Sequence, residues 1–177
     1  CADMIQDGNV FRSVDHRLWD ADSRKKDCDR DHVNVQVLST VPVMFSYWAK
    51  PTEALELSRF LNDHMAEFVN VNPGRFLGLG TVPLQDVTLA VKELERCAKE
   101  LRLSGVEIGT HVNGINLDDP IFFPFYEAAE KLDMPLFVHA WDMLGKDRMK
   151  KFWLPWLVGM PSETAVAIAS LTTRRRA

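Results

Sequence analysis

Apolar residues along the chain follow two alternating patterns. In one they form short dense runs; in the other they recur every three or four positions. The dense runs lie at residues 33–40, 76–82, 105–110 and 136–140, and each has the length and composition of a strand. The first interval between them predicts a helix capped by Thr52, with Leu55, Phe60, Leu61, Met65 and Phe68 on one face and a stop at Asn72-Pro73-Gly74. The second predicts a helix over 86–101, with Val87, Ala90, Leu94 and Ala98 aligned, and the third a helix over 120–132 with Pro120 at its start. Beyond the fourth run the pattern predicts helices over 148–157, interrupted at Pro155, and over 161–171. Residues 42–48 read as an apolar loop. The first 32 residues are polar with isolated apolar positions, which predicts a short hairpin or loop and then a helix over 20–31.

Four strands separated by helices predict an α/β fold with a parallel sheet covered by helices. No G-x-G-x-x-G follows the first run, so a dinucleotide-binding fold has no direct support. A (β/α)8 barrel normally takes about 250 residues; four βα units in 177 residues amount to half of one. The expected organisation is a polar N-terminal segment over 1–32, the central part of a barrel over 33–171, and an atypical basic tail over 172–177. The chain opens on Cys1 in a polar stretch and closes on Arg174-Arg175-Arg176-Ala177 without a helix stop, so both ends read as cut rather than finished.

Composition narrows the function classes. The chain is 46% hydrophobic and 26% charged, with a net charge of −4, values of an ordinary globular protein that give no electrostatic case for nucleic acid or an anionic membrane surface. Cys1, Cys28 and Cys97 are odd in number and widely spaced, which fits a reducing compartment better than a disulfide framework. No apolar run reaches the roughly 18 residues of a membrane span, and no stretch reads as a signal peptide. The expected location is the cytosol.

In parallel barrels the chemistry lies at the C-terminal ends of the strands. Here the third and fourth runs end in His111 and His139. Each either caps a carbonyl at the rim or offers a ring nitrogen to a metal. His16, His32 and His64 lie in polar or helical segments and read as surface or packing residues. Trp141 follows the last strand and is placed to line a pocket; Phe152, Trp153 and Trp156 cluster beyond it at a spacing typical of core. Arg12 sits in an apolar patch, and an arginine turned into a pocket suits a carboxylate. Asp142 either orients a neighbouring histidine or caps the next element.

Four stretches then carry a resemblance: STVPVMFSYWAKP at 39–51, GVEIGTHVN at 105–113, FVHAWDM at 137–143 and WLPWLVGMPSET at 153–164. Together they resemble the metal-dependent decarboxylases of the amidohydrolase superfamily, (β/α)8 barrels, and within these the ones acting on 2-amino-3-carboxymuconate 6-semialdehyde. The resemblance covers residues 7–171. It implies a zinc-dependent, non-oxidative carboxy-lyase of the kynurenine route of tryptophan catabolism, acting on a small-molecule substrate, with a homodimer possible in the complete enzyme. It implies that His139 is a Zn2+ ligand, that Arg12 grips a substrate carboxylate and that Trp153 lines the pocket. The family's remaining ligands, a His-x-His pair and a late aspartate, fall outside these 177 residues, as does the acid/base histidine of its His-Gly-Gly-Gly motif. Ala140 stands where the family has proline, and residues 172–177 do not resemble family sequence. The chain alone is therefore expected to be inactive. The alternatives are a catalytically dead regulatory or partner subunit, and a related decarboxylase of an aromatic acid.

Overall fold

The computed structural model describes residues 1–6 and 8–173; Asp7 and residues 174–177, most of the expected basic tail, lie outside the described residues. The polar N-terminal stretch forms an antiparallel hairpin of β1 (Ala2–Gln6) and β2 (Asn9–Val14). A 3-10 turn, His16–Leu18, leads to α1 (Ala21–Arg30), capped by the Asp20 carboxylate, which accepts from the Ser23 amide. The first dense run forms a strand only over β3 (Gln36–Leu38). The valines at 33 and 35 are exposed, because pairing with the next strand begins at Gln36.

Helix α2 (Pro51–Asn70) follows a 3-10 turn over Pro42–Phe45. Pro51 occupies its first turn and Lys50 the cap position, so Thr52 is not the cap. Proline suits that place because the first turn's amides have no partner to lose. The buried face of α2 is centred on Ala54, Ser58, Asn62 and Ala66; Leu55, Leu61, Met65 and Phe68 flank it half-buried, and of the expected residues Phe60, 72% exposed, lies outward. Small residues are needed there because β4 (Phe76–Thr81) comes very close. A Cβ on Gly78 would lie 2.7 Å from Met65 of α2, and one on Gly80 would lie 2.8 Å from Cys97 of α3.

Helix α3 (Val87–Lys99) is capped by the Asp86 carboxylate, which accepts from the Leu89 amide, and buries Ala90, Leu94 and Cys97. Strand β5 (Gly105–Gly109) is buried throughout. It runs into a hairpin absent from the sequence expectation, β6 (His111–Val112) and β7 (Ile115–Asn116). A 3-10 turn at Pro120–Phe122 precedes α4 (Phe123–Lys131), and β8 (Leu136–His139) follows. The helix expected over 148–157 does not form. Lys146–Arg148 is a 3-10 turn, Phe152 and Trp153 both take positive φ, and Pro155–Gly159 is a π-helical turn. Two successive left-handed residues break any α-helical ladder. Helix α5 (Met160–Thr173) closes the described chain.

The four central strands are parallel and lie in the order β3-β4-β5-β8. Each new strand is added to the same edge, without the reversal that marks a doubly wound sheet. Helices α2 and α3 pack on one face around Val106, Ile108, Leu94 and Leu103. This is the architecture of about half a (β/α)8 barrel, and its other face is the concave one. That face is only partly covered: Val37, Leu77 and Phe137 are 55%, 42% and 50% exposed. Among the described residues no helix is long and apolar enough to cross a membrane.

A buried polar cluster fastens α2 and α3 to the sheet. Asn62, fully buried, accepts from the Thr81 amide (2.8 Å) and donates to the Thr81 carbonyl (2.9 Å) and to Glu93 (2.7 Å). Arg96 donates to Glu93 and to Asp63 (2.6 Å), and Arg59 reaches Glu93 at 3.3 Å. The Glu93 carboxylate, followed by burial and Asp63, acts on the Arg96 guanidinium, with a net upward shift in its pKa.

Candidate functional site

The strand ends are where pleating and loops bring side chains together. Register pairs Gly109 with His139 and Glu107 with both Thr81 and Phe137. Because side chains alternate along a strand, Thr81, Glu107, Phe137 and His139 all face the concave side. His139 closes β8 and is half-buried, its ring set edge-on to Phe137 at 6.2 Å. Its Nδ1 lies 2.8 Å from the Ala140 carbonyl. A carbonyl only accepts, so Nδ1 carries the proton and Nε2 is left with the lone pair. A neutral histidine whose other N–H is committed to a carbonyl is in the form a metal requires.

His139 lines an open hollow of about 520 Å3 with Ala140, Trp156, Met160, Thr164 and Ile168. Trp156 is a residue the sequence reading assigned to the core. Trp153, which the resemblance places at the pocket, is 71% exposed and stands behind Trp156, ring centroids 5.2 Å apart. The π-helical turn decides between them, by rotating Trp156 toward β8. Trp141 lines a separate hollow of about 290 Å3 with Tyr47, Trp48, His111 and Asn113. Arg12, on β2, lines a third with Asp15, Arg17, Arg24 and Asp27. The structure therefore brings His139 and Trp156 together, and sets Trp141 and Arg12 in other cavities.

His111 is buried and both its ring nitrogens are engaged: Nδ1 accepts from the Gly114 amide (3.1 Å), and Nε2 lies 3.1 Å from the Asp142 carbonyl. Of the two readings open for it, this is the carbonyl cap. Asp142 makes an ion pair with Lys146 through its side chain.

Glu107 is 1% exposed, and both its carboxylate oxygens lack a hydrogen-bond partner, as does the buried hydroxyl of Thr81. Burial pushes the Glu107 carboxyl up to about 7; the nearby Ser39 hydroxyl pulls weakly the other way without a well-aligned bond. The alternation of residues 105–110 puts Glu107 on the same face as a strand-end histidine, a signal the sequence reading passed over. Among the described residues no three His, Cys, Asp or Glu side chains gather closely enough to hold a metal ion. His139 fits one ligand position, and these residues do not complete a site.

A family model for amidohydrolases matches residues 9–174. The 2-amino-3-carboxymuconate-6-semialdehyde decarboxylase of Dictyostelium discoideum is 55% identical over 170 residues, which is 96% of this chain and 47% of that protein. The crystal structure of 5-carboxyvanillate decarboxylase from Sphingomonas paucimobilis is similar at a TM-score of 0.80 and 33% identity, over 88% of this chain and 47% of that one. That of a dihydroxybenzoic acid decarboxylase from Polaromonas, with bound manganese, has a TM-score of 0.77 and 33% identity over 88% of this chain and 50% of that one. The chain spans about half the length of the relatives it matches. Nearly all of its length nevertheless falls within the family model, and its parallel strands follow the same barrel, so the chain belongs to the amidohydrolase family.

Proposed function

We propose that this chain is the central part of a zinc-dependent, non-oxidative decarboxylase that converts 2-amino-3-carboxymuconate 6-semialdehyde to 2-aminomuconate 6-semialdehyde. The observation that carries the reading is the 55% identity over 96% of the chain to a decarboxylase of that name. His139 supports it, because its proton lies on Nδ1 and its Nε2 is available to a metal at the concave end of β8. The metal supplies Lewis-acid activation near neutral pH. The chain's own residues supply the setting. Trp156 and Met160 form an apolar wall beside His139 against which a planar conjugated substrate packs. Trp153 backs Trp156. In this reading Arg12 fixes a substrate carboxylate with its planar fork, a role that requires the hairpin to turn toward the mouth. Trp141 borders the approach to the site. The enzyme acts in the cytosol, on a small molecule, as a homodimer.

A second reading is favoured by the likeness to decarboxylases of carboxyvanillate and dihydroxybenzoate: an aromatic acid as substrate. A chimera separates the two. Residues 9–171 replace the matching segment of the Dictyostelium decarboxylase, and the product is assayed on the muconate semialdehyde and on 2,6-dihydroxybenzoate. Turnover of the first alone is expected, and His139→Ala in the chimera should abolish stoichiometric zinc. Turnover of the benzoate alone would transfer the assignment to the second reading. The 177-residue chain by itself, loaded with zinc, should leave the substrate's absorbance unchanged, since only one ligand is in place; turnover would refute the single-ligand account.

A further inference from the structure

His111 has no part in the chemistry proposed above, yet it is buried, polar and joined to the segment that carries His139. Its partners fix its state. The Gly114 amide can only donate, so Nδ1 must be the bare nitrogen; the Asp142 carbonyl can only accept, so Nε2 must bear the proton. His111 and His139, at the ends of neighbouring strands, are thereby held in opposite tautomers.

The carbonyl that His111 holds belongs to a residue in an unusual conformation. Asp142 has φ 56°, a left-handed backbone that a non-glycine residue keeps only when its surroundings impose it. Three contacts impose it here. His111 grips the Asp142 carbonyl from the start of β6. Glu163, buried on α5, accepts from the Leu144 amide at 2.9 Å and lies 3.4 Å from the Thr110 hydroxyl. Met143, between them, is buried. The segment 140–144 is thus tied to the start of β6 at one point and to α5 at the next. The Ala140 carbonyl, which holds the His139 ring, lies on that segment.

We propose that His111 is a positioning residue: by donating from Nε2 to the Asp142 carbonyl it sets the course of residues 140–144, and through the Ala140 carbonyl it fixes the tautomer and ring direction of His139 and the placement of Trp141. Its functional meaning rests on the reading of His139 as a ligand, but the connection itself does not involve a metal. His111 acts through backbone and touches neither substrate nor metal.

The two nitrogens can be tested separately. A glutamine amide reaches the place of the Nε2 donor, whereas an asparagine amide oxygen reaches only that of the Nδ1 acceptor. Long-range 15N–1H spectra of the 177-residue chain without metal report each histidine's tautomer. In the wild-type chain His111 is expected as Nε2–H and His139 as Nδ1–H. In His111→Gln the His139 signal should persist. In His111→Asn it should become a mixture of tautomers, with the amides of Met143 and Leu144 exchanging at least tenfold faster while those of Val106 and Ile108 in β5 stay protected. A wild-type His139 signal in His111→Asn would overturn the proposal. Should His111→Asn lose the sheet protection as well, the wild-type spectrum decides: His111 found as Nδ1–H overturns the proposal, and a scalar coupling across the bond from Nε2 to the Asp142 carbonyl supports it. Stoichiometric zinc retained in the His139→Ala chimera, with the two tautomers of the wild-type chain as expected, would sink the ligand reading and leave this one standing.

Discussion

Replacing Glu107 with glutamine should make the chain more stable at pH 8 and change it little at pH 5. The folded carboxyl holds its proton up to about pH 7, because burial disfavours the charge, while an ordinary glutamate releases it near 4.5. Between those values the folded state binds more protons than the unfolded one, so stability falls as pH rises through the window. Below 4.5 both states are protonated and the contribution vanishes; above 7 the whole penalty is present. At about 1.4 kcal/mol per pH unit the full penalty is about 3.5 kcal/mol, of which about 2.5 kcal/mol develops between pH 5 and pH 8. The residue is 1% exposed and neither oxygen has a hydrogen-bond partner, so little solvent or pairing offsets the cost. Glutamine keeps the shape and removes the ionisation. Urea unfolding followed by tryptophan fluorescence at pH 5, 6, 7 and 8 measures it. The gap between Glu107→Gln and wild type should widen by about 2.5 kcal/mol across that range; parallel curves would refute a buried, unpaired carboxyl.

Asn62→Ala should cost about 3 kcal/mol or more in the same urea titration, because it orphans both backbone groups of Thr81 in a fully buried place and loosens Glu93. Gly80→Ala should cost about 1–3 kcal/mol by thermal unfolding, since the added methyl would meet the Cys97 sulfur at 2.8 Å and the Asn62 and Leu103 side chains at 3.1 Å. Thiol labelling of the native chain with an aromatic disulfide at pH 8 should modify exposed Cys1 quickly and leave Cys97, buried and pushed up to about 12, untouched until denaturant is added.

Much of the architecture was legible in the sequence because strand and helix patterns are local. The four dense runs became β3, β4, β5 and β8, and the helix expected over 86–101 became α3. The reading failed where a distant neighbour decides. The sequence pattern groups Phe60 with Leu61 and Met65, yet it lies outward while they stay half-buried, because the glycines of β4 draw the face of Ala54, Ser58, Asn62 and Ala66, with Met65 at its flank, against the sheet. The stretch 148–157 has helical periodicity, but two left-handed residues and Pro155 turn it into loop and π-helical turn, and so bring Trp156 rather than Trp153 beside His139.

The site divides in the same way. That one histidine ends β8 and another lies two residues beyond the end of neighbouring β5 is written in the sequence, since it needs only the strand boundaries. Which of them can serve a metal is not, since it depends on what each ring nitrogen meets: a carbonyl one residue away for His139, an amide and a carbonyl 31 residues away for His111. The charge state of Glu107 and the separation of Arg12 from His139 are likewise set by packing between segments far apart in the chain. Residue type and local period fix what a side chain can do; burial and partners, which only the assembled sheet supplies, fix what it does.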